Sequence, residues 1–232
     1  GLQNPGIDAF IERELPNLLT KGTVILANIA GSTIEECVAI AEKLEQTQVH
    51  MIELNISCPN VKKGGAAFGV HCESAHAITA AVRAVTKKPL VVKLSPNVTD
   101  ITEIARAVET AGADAVSLIN TLLGMRIDIR TRRPILKNNV GGMSGPAIFP
   151  LAVRMVWQVA NAVSIPVIGM GGISTGADAI EMMMAGASAV QVGAAIFTDP
   201  YAPIRIIDEM NAWLDAHHIA SVQEIIGTVQ PW

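Results

Sequence analysis

Six short, almost continuous apolar runs recur along the chain, separated by stretches in which apolar residues have a helical spacing. The runs are Val24–Ile29, Met51–Ile56, Leu90–Ser95, Ala115–Asn120, Pro166–Gly171 and Ala189–Ala194. A strand that is covered on both faces is apolar throughout, whereas a strand with one wet face alternates. The runs therefore predict buried strands, and their alternation with helical stretches predicts an α/β fold with a parallel sheet.

Three of the intervening stretches carry helix start or stop signals. Ser32 and Glu35 have the spacing of a capping box just before an apolar helical pattern. Gly112 follows another such pattern as a stop signal. Asp199 and Pro200 have the residue types of an N-cap and a first helical position, which predicts a helix start there.

The long connection from Thr121 to Pro150 contains a stretch with a different period. Arg126, Asp128 and Arg130 alternate with isoleucines, and this period of two is typical of a strand. With Thr131–Pro134 as its turn, the stretch predicts a β-hairpin inserted at about 125–136, after the fourth visible strand.

The position of the glycines separates two folds that fit this alternation, a doubly wound sheet and a (β/α)8 barrel. The doubly wound sheet places a glycine-rich phosphate turn after its first strand. Here the glycines come late instead, with Gly171-Gly172 and Gly193 at the carboxyl ends of the last two runs, and phosphate sites after strands 7 and 8 are typical of a barrel. We therefore predict a single (β/α)8 TIM-barrel domain over residues 1–232. Its six visible strands would be strands 3 to 8, with the first two βα units absent from this chain.

Composition narrows the classes of function. The chain has 17 Lys and Arg against 21 Asp and Glu, and only 3% of it is aromatic, so no nucleic-acid partner is expected. No apolar stretch reaches the ~20 residues of a membrane-spanning helix, so no membrane association is expected. Cys37, Cys58 and Cys72 form no even disulfide framework, which favours free thiols and a cytoplasmic location. No cysteine or histidine spacing matches a metal site, so we expect no metal.

Polar residues stand at the carboxyl ends of the predicted strands, where the active sites of barrels lie. They are Asn28, Asn55 with Ser57 and Cys58, Lys93 with Ser95, Asn120 with Thr121, and the pair Gly171-Gly172. A single asparagine at such a place is equally well explained as a turn or helix-cap residue. A set on five successive strands favours a ligand site.

Two of these residues carry reactive groups. Lys93 interrupts an apolar strand, and a buried ammonium needs a partner, so we expect it to face an anionic ligand. Beside the N1/C2 edge of a flavin it would stabilise the anionic reduced ring. Cys58 follows a strand in a glycine-rich loop, where a thiol can act as a general base. The alternatives are a surface lysine at a strand end and a small buried thiol.

The late glycines also predict a phosphate site. The segment Gly169–Ser174 offers unshielded backbone N–H groups just before a predicted helix, and Gly193-Ala194 offers a second close approach. Such N–H groups and helix N-termini bind a dianionic phosphate. We expect the two segments to share one phosphate.

Several segments together resemble the class 1 dihydroorotate dehydrogenases over essentially the whole chain. They are Asn55-Ile-Ser-Cys-Pro-Asn-Val61, Val92-Lys-Leu-Ser-Pro96, Ile119-Asn-Thr121, Gly141-Gly-Met-Ser-Gly-Pro-Ala-Ile-Phe-Pro150 and Gly169-Met-Gly-Gly-Ile173. Cys58 stands where the membrane-associated class 2 enzymes have a serine. The segment 141–150 and Asn120-Thr121 are more similar to the NAD-linked type, class 1B, than to the fumarate-linked type.

This resemblance implies an FMN enzyme that oxidises dihydroorotate to orotate in pyrimidine biosynthesis. Cys58 would take the C5 proton, and the flavin N5 would accept the hydride from C6. The residues that match substrate positions of the family are Gly1, Leu2, Asn55, Asn120 and Thr121. The residues that match FMN positions are Asn28, Asn55, Lys93, Ile119, Gly145, Gly171, Gly172, Gly193 and Ala194.

The resemblance also implies partners. In class 1B, electrons leave to NAD through a second subunit that carries FAD and a 2Fe–2S cluster, so we expect a homodimer and a heterotetramer with such a subunit. This chain has no cysteine set for the cluster, which fits the catalytic subunit. Two alternatives stay open: a flavin enzyme similar to dihydropyrimidine dehydrogenase, which shares the Ser-Cys-Pro loop, and a non-redox barrel that binds a phosphorylated metabolite through the same glycines.

Overall fold

A computed structural model describes residues 3–57 and 68–232, which form two compact units. The first unit comprises Gly1–Leu94 with Glu103–Val116, and the second comprises Ser95–Thr102 with Ser117–Trp232. Three predicted site residues, Gly1, Leu2 and Cys58, lie outside the described residues.

Strands and helices alternate along both units. The strands are β1 Leu26–Ile29, β2 Met51–Asn55, β3 Leu90–Lys93, β4 Ala115–Leu118, β5 Leu122–Gly124, β6 Ile127–Asp128, β7 Arg133–Pro134, β8 Gly141–Met143, β9 Val167–Met170 and β10 Ala189–Gln191. The longer helices are α1 Ile34–Glu45, α2 Cys72–Arg83, α3 Ile101–Thr110, α4 Phe149–Ala160, α5 Gly176–Met184 and α6 Ala202–Ala216. The shorter helical segments are Ile7–Ala9, Phe10–Glu14, Leu15–Leu19, Pro146–Ile148, Ala194–Phe197 and Val222–Ile225. Within residues 3–57 and 68–232, no helix is long and apolar enough to cross a membrane.

All six predicted strands are present, as β1 to β4, β9 and β10, and each is one to three residues shorter than its apolar run. The extra residues of each run belong to the adjoining loops: those of the first run precede β1, those of the fifth lie on both sides of β9, and those of the others follow their strands. The α/β class with parallel strands is therefore confirmed. Closure into an eight-unit barrel stays a prediction.

In the first unit, β1, β2 and β3 lie parallel and side by side. Ile52 and Leu54 of β2 are fully buried, and Ala27 on β1 and Val92 on β3 are their buried register partners. The backbone N–H of Asp114 donates to the carbonyl of Leu90 at 2.8 Å, where β4 begins. Burial on both faces explains why these strands are apolar without alternation.

The cap of α1 lies one residue later than the sequence spacing predicted. Thr33 is the N-cap, and its hydroxyl accepts a hydrogen bond from the backbone N–H of Glu36 at 3.2 Å. The Glu36 carboxylate in turn accepts from the backbone N–H of Ser32 at 2.6 Å. The predicted Ser32–Glu35 capping box is wrong, because Thr33 is the residue with an extended backbone directly before the first helical turn.

In the second unit, β9 and β10 form a parallel pair. The backbone N–H of Ile119, just past the end of β4, donates to the carbonyl of Met170 at 2.9 Å. Helices α5 and α6 pack together through a core that includes Met183 and Leu214. Helices α5 and α6 follow β9 and β10 along the chain, so this core lies next in sequence to the loops after both strands.

The insertion after β4 contains two antiparallel pairs. In the first, β6 pairs with β7, with Ile127 opposite Pro134, which confirms the predicted hairpin at 125–136. Its turn comes slightly earlier than predicted, and Arg132 in it has a positive φ of 57°. In the second, β5 pairs with β8. The sequence did not predict this pair, because three of its six residues are glycine, a residue that weakens strands.

Helix α6 begins later than the sequence predicted. Tyr201 is its N-cap, and the Asp199 carboxylate accepts a hydrogen bond from the backbone N–H of Tyr201 at 3.0 Å. Asp199 and Pro200 therefore form a turn before the helix, and the prediction that they are its N-cap and first residue is wrong.

Candidate active site

Four polar side chains share one face of the three-stranded sheet in the first unit, at the carboxyl ends of its strands. Asn28 pairs in register with Glu53, and Asn55 pairs with Lys93. Side chains alternate across a strand, so Glu53 and Asn55 point to the same face of β2, and their register partners share it. We call Asn28, Glu53, Asn55 and Lys93 the polar row. The structure thus brings together three predicted cofactor residues and adds Glu53.

Glu53 is the centre of the polar row. Its carboxylate accepts a hydrogen bond from the Asn28 amide nitrogen and lies 4.0 Å from the Lys93 ammonium. Glu53 is 3% exposed, whereas Asn28 is exposed and Lys93 is half-buried. Sequence reasoning missed Glu53, although the signal was present: it is an acidic residue inside the apolar strand β2, just as Lys93 is a basic residue inside β3.

Asn55 holds the start of the segment that carries Cys58. Its side-chain oxygen accepts hydrogen bonds from the backbone N–H of Ser57 at 3.1 Å and from the Ser57 hydroxyl at 2.7 Å. Ser57 is itself buried. The chain therefore leaves β2 in a defined direction immediately before Cys58.

A cavity of about 540 Å³ in the first unit reaches two members of the polar row, Asn28 and Asn55. Its other walls come from β1, from one side of α1 and from the N-terminal helical segments, including Phe10. A volume between about 300 and 1,000 Å³, apolar walls and a few polar groups are typical of small-molecule sites.

In the second unit, the loop after β4 carries the predicted residues Ile119, Asn120 and Thr121. Ile119 is buried, and the Asn120 side-chain oxygen accepts from the backbone N–H of Thr121 at 2.8 Å. Asn97 holds this loop with both ends of its amide. Its nitrogen donates to the Thr121 carbonyl at 3.0 Å, and its oxygen accepts from the Leu123 backbone N–H at 3.0 Å. Sequence reasoning missed Asn97, because its role depends on the meeting of two loops.

The predicted glycines of the second unit form close backbone turns. Gly145, Gly171 and Gly172 have positive φ values of 92°, 124° and 82°, a conformation that glycine adopts without strain. A Cβ on Gly172 would lie 2.8 Å from the Gly145 carbonyl oxygen and 2.8 Å from the Phe149 Cβ. Gly193 differs, since a Cβ there would meet no atom within 4 Å.

These features fit a phosphorylated flavin. The turn at Gly171-Gly172 leaves no room for a side chain, and the space beside Gly193 is open to a ligand. Ala194 begins a short 3-10 helix, whose first N–H groups have no partner within the helix. The polar row offers amide and ammonium donors of the kind that bind the polar edge of a flavin ring. The polar row and the glycine turns are therefore each suited to polar or anionic groups of a ligand.

The remaining cysteines and acidic residues show no reactive arrangement. Cys37 and Cys72 are free thiols, and burial raises the pKa of Cys37 to about 11, which suits an inert core residue. Within the described parts of the chain, no group of three or more His, Cys, Asp or Glu side chains could hold a metal ion.

Comparisons with known proteins identify the family to which the chain belongs. The family model described as dihydroorotate dehydrogenase matches residues 1–214. The catalytic subunit of dihydroorotate dehydrogenase B (NAD(+)) from Bacteroides thetaiotaomicron is 57% identical over 231 residues, which are 99% of this chain and 76% of that protein. The corresponding subunit from Geobacter metallireducens has the same identity and coverage, 57%, 99% and 76%. The one from Geobacillus kaustophilus is 56% identical over 228 residues, covering 98% of this chain and 73% of its own length.

Proposed function

Since this chain belongs to the dihydroorotate dehydrogenase family, we propose that it is the FMN-binding catalytic subunit of an NAD-linked enzyme of class 1B. It oxidises dihydroorotate to orotate in pyrimidine biosynthesis. The structural observation that carries this function is the polar row at the carboxyl ends of three buried parallel strands. Burying charged and amide side chains at the ends of apolar strands costs free energy unless they bind a ligand or pair with one another.

The reaction removes a proton from C5 and a hydride from C6 of dihydroorotate. When bound, FMN supplies the hydride acceptor, its N5 atom. Cys58 is the proposed general base, and its thiolate takes the C5 proton. Asn55 supports this step, because its hydrogen bonds to Ser57 fix the direction in which the chain enters the segment of Cys58.

We assign the proposed FMN residues within each unit separately. In the second unit, Gly171-Gly172 and Gly193-Ala194 are assigned to the phosphate, because their backbones allow the closest approach of an anion. Gly145 and Ile119 complete the assigned set in that unit. In the first unit, Asn28, Asn55 and Lys93 are assigned to the flavin ring and its side chain. Lys93 would face the ring of a bound flavin, where its positive charge would favour the reduced, negatively charged form.

The proposed substrate residues are Gly1, Leu2, Asn55, Asn120 and Thr121. Amide and hydroxyl groups such as those of Asn120 and Thr121 can match the alternating N–H and C=O groups of a pyrimidine ring. The structure supports a defined loop here, since Asn97 binds the backbone on both sides of Leu122.

We further propose that the chain folds as part of a (β/α)8 barrel and assembles as a homodimer. A partner subunit with FAD and a 2Fe–2S cluster would pass the electrons to NAD. That the relatives are named as catalytic subunits supports a partner. The cytoplasmic location stays a prediction.

The test compares two cysteine variants of the FMN-loaded protein. Dihydroorotate is added without oxygen, and the loss of visible flavin absorbance gives the rate of flavin reduction. Cys58→Ala should lower this rate by about 10²–10⁴, the usual contribution of a proton-transfer group, while FMN stays bound. Cys37→Ala is the matched control, because Cys37 is a buried residue on the inner side of α1. This variant should reduce its flavin at a rate within a few-fold of wild type.

Near-normal flavin reduction in Cys58→Ala would refute the assignment of the base. Dihydrouracil, which lacks the carboxylate, tests the similarity to dihydropyrimidine dehydrogenase, and it should reduce the flavin far more slowly than dihydroorotate does. Protein purified without any bound flavin, and unable to take up FMN, would favour the non-redox phosphate-binding alternative.

A further inference from the structure

The buried carboxylate of Glu53 has no role in the reaction described above. We propose that Glu53 is a positioning residue that orients Asn28 and balances the charge of Lys93, and thereby sets the reduction potential of the bound flavin. This inference rests on the proposed function, because it concerns the same FMN site. It is carried by three observations: the burial of Glu53, its hydrogen bond with Asn28 and its ion pair with Lys93.

The surroundings of Glu53 require it to have partners. Ile52 and Leu54, its neighbours along β2, point to the opposite face of the sheet, yet Glu53 itself is only 3% exposed. A carboxylate in such a place is kept only when hydrogen bonds and an opposite charge compensate the loss of water. Asn28 and Lys93 on the two flanking strands supply such compensation.

The hydrogen bond with Glu53 decides how Asn28 presents its amide. An ionised carboxylate only accepts hydrogen bonds, so the Asn28 nitrogen must be the atom that faces Glu53. The Asn28 oxygen is then turned away from Glu53. Because Asn28 is exposed, this oxygen is the atom offered to a ligand, and it would accept a hydrogen bond from an N–H or O–H group.

The ion pair with Lys93 is long enough to leave the ammonium available. The Nζ and Oε2 atoms are 4.0 Å apart, and an ammonium has three N–H donors, so Lys93 can face Glu53 and a ligand together. The Lys93 side chain is 17% exposed and that of Glu53 is 4% exposed, so solvent screens the pair weakly. Within the pair the two charges largely cancel at a distance. Removal of the negative charge would leave the positive charge of Lys93 uncompensated beside the flavin.

The experiment measures the midpoint potential of FMN in four FMN-loaded proteins: wild type, Glu53→Gln, Lys93→Met and the double variant. Glu53→Gln should favour the reduced flavin about tenfold or more, a rise of about 30 mV for a two-electron couple. In the Lys93→Met background the same substitution should shift the equilibrium by less than threefold. Glu53→Asp, which keeps the charge, should stay near wild type, and Glu45→Gln controls for the loss of a carboxylate elsewhere in the same unit.

A Glu53→Gln shift that is no larger than that of Glu45→Gln, or that is equally large in the Lys93→Met background, would overturn the inference. If Glu53→Gln does not fold, urea unfolding of Lys93→Met and of the double variant replaces it. The double variant should be more stable, since it no longer buries an uncompensated carboxylate, and equal or lower stability contradicts the pairing. The proposed function is refuted if the wild-type protein binds no FMN, or if dihydroorotate does not reduce its bound flavin. A negative result in the Glu53 comparisons refutes only the role of Glu53.

Discussion

Replacement of Gly172 by alanine introduces a methyl group where the second unit has no room for one. The new Cβ would lie 2.8 Å from the Gly145 carbonyl oxygen, 2.8 Å from the Phe149 Cβ and 3.0 Å from the Phe149 nitrogen. Two of these three atoms belong to the backbone, so a change of side-chain rotamer cannot relieve the contact. The φ of 82° at this position is in addition unfavourable for any residue with a Cβ.

These contacts set the size of the expected effect. A left-handed backbone conformation costs an alanine roughly 1–2 kcal/mol, and an extra methyl group in a packed region costs about 1–3 kcal/mol. The reduced freedom of the unfolded chain offsets about 0.4–1 kcal/mol of this. We expect the free energy of unfolding to fall by about 3 kcal/mol, which in a chain of this length lowers the Tm by roughly 6–12 °C.

The assay is thermal unfolding of the flavin-free protein, followed by FMN retention on gel filtration. Gly193→Ala is the matched control for thermal unfolding of the flavin-free protein, because Gly193 has a φ of −120° and open space around a Cβ. It does not serve as a control for FMN retention, since Gly193 is assigned to the phosphate. We expect Gly193→Ala to change the free energy of unfolding by no more than about 0.5 kcal/mol. Gly172→Ala should lose FMN together with its stability, since the turn must move to admit the methyl group. Equal unfolding temperatures of the two variants would refute the argument that the turn excludes a side chain.

Three further outcomes follow from the same structure. Gly142→Ala would place a Cβ against the Thr121 hydroxyl oxygen and displace that side chain. Steady-state kinetics should show a KM for dihydroorotate raised about tenfold, equivalent to about 1.4 kcal/mol of binding; an unchanged KM would remove Thr121 from the substrate site. Burial raises the pKa of Cys37 from 9.0 to about 11, so the unfolded thiol ionises first and stability should fall as the pH rises from about 9 to 11, by up to roughly 2–3 kcal/mol. Urea unfolding of Cys37→Ala should lack that part of the pH dependence. The backbone N–H of Gly176 holds the pKa of Glu209 below its usual 4.5, so its stabilisation is present above that pH and is lost as the pH falls through the lowered pKa. Acid unfolding of Glu209→Gln should therefore be less steep than that of wild type.

The sequence predicted the strands more reliably than the ends of the helices, for a physical reason. A strand that is buried on both faces has a continuous apolar sequence, and this pattern can be recognised without knowing which residues pack against it. A helix start depends on which of two adjacent capping residues takes an extended backbone, and Ser32 and Thr33 are both suitable types. Ser32 was predicted as the cap because Glu35 lies three residues after it, the spacing of a capping box. Glu36 lies three residues after Thr33, so the spacing does not distinguish the two.

Part of the candidate site could also be predicted. Lys93 was found because an ammonium inside an apolar strand requires a partner. Glu53 is likewise a charged residue inside an apolar strand, β2. It lies two residues before the end of that strand, whereas the predicted site residues stand at the strand ends. Asn97 carries no comparable signal, because an asparagine in a loop is ordinarily a turn residue and its two bonds reach Thr121 and Leu123, 24 and 26 positions away.

The side chain of Asn97 imitates a residue of a neighbouring parallel strand. It donates to the carbonyl of Thr121 and accepts from the N–H of Leu123. One residue of an adjacent parallel strand would bind the same two groups, on either side of Leu122, with its own N–H and C=O. Strand β5 pairs with β8 along one edge. The Asn97 amide supplies backbone-like hydrogen bonds beside Leu122, where β5 begins. An aspartate there would have almost the same shape, yet it would set a carboxylate oxygen against the Thr121 carbonyl. The exchange of asparagine for aspartate at position 97 is therefore damaging although the two side chains have nearly the same shape. A single nitrogen atom determines whether the loop at Thr121 keeps its conformation.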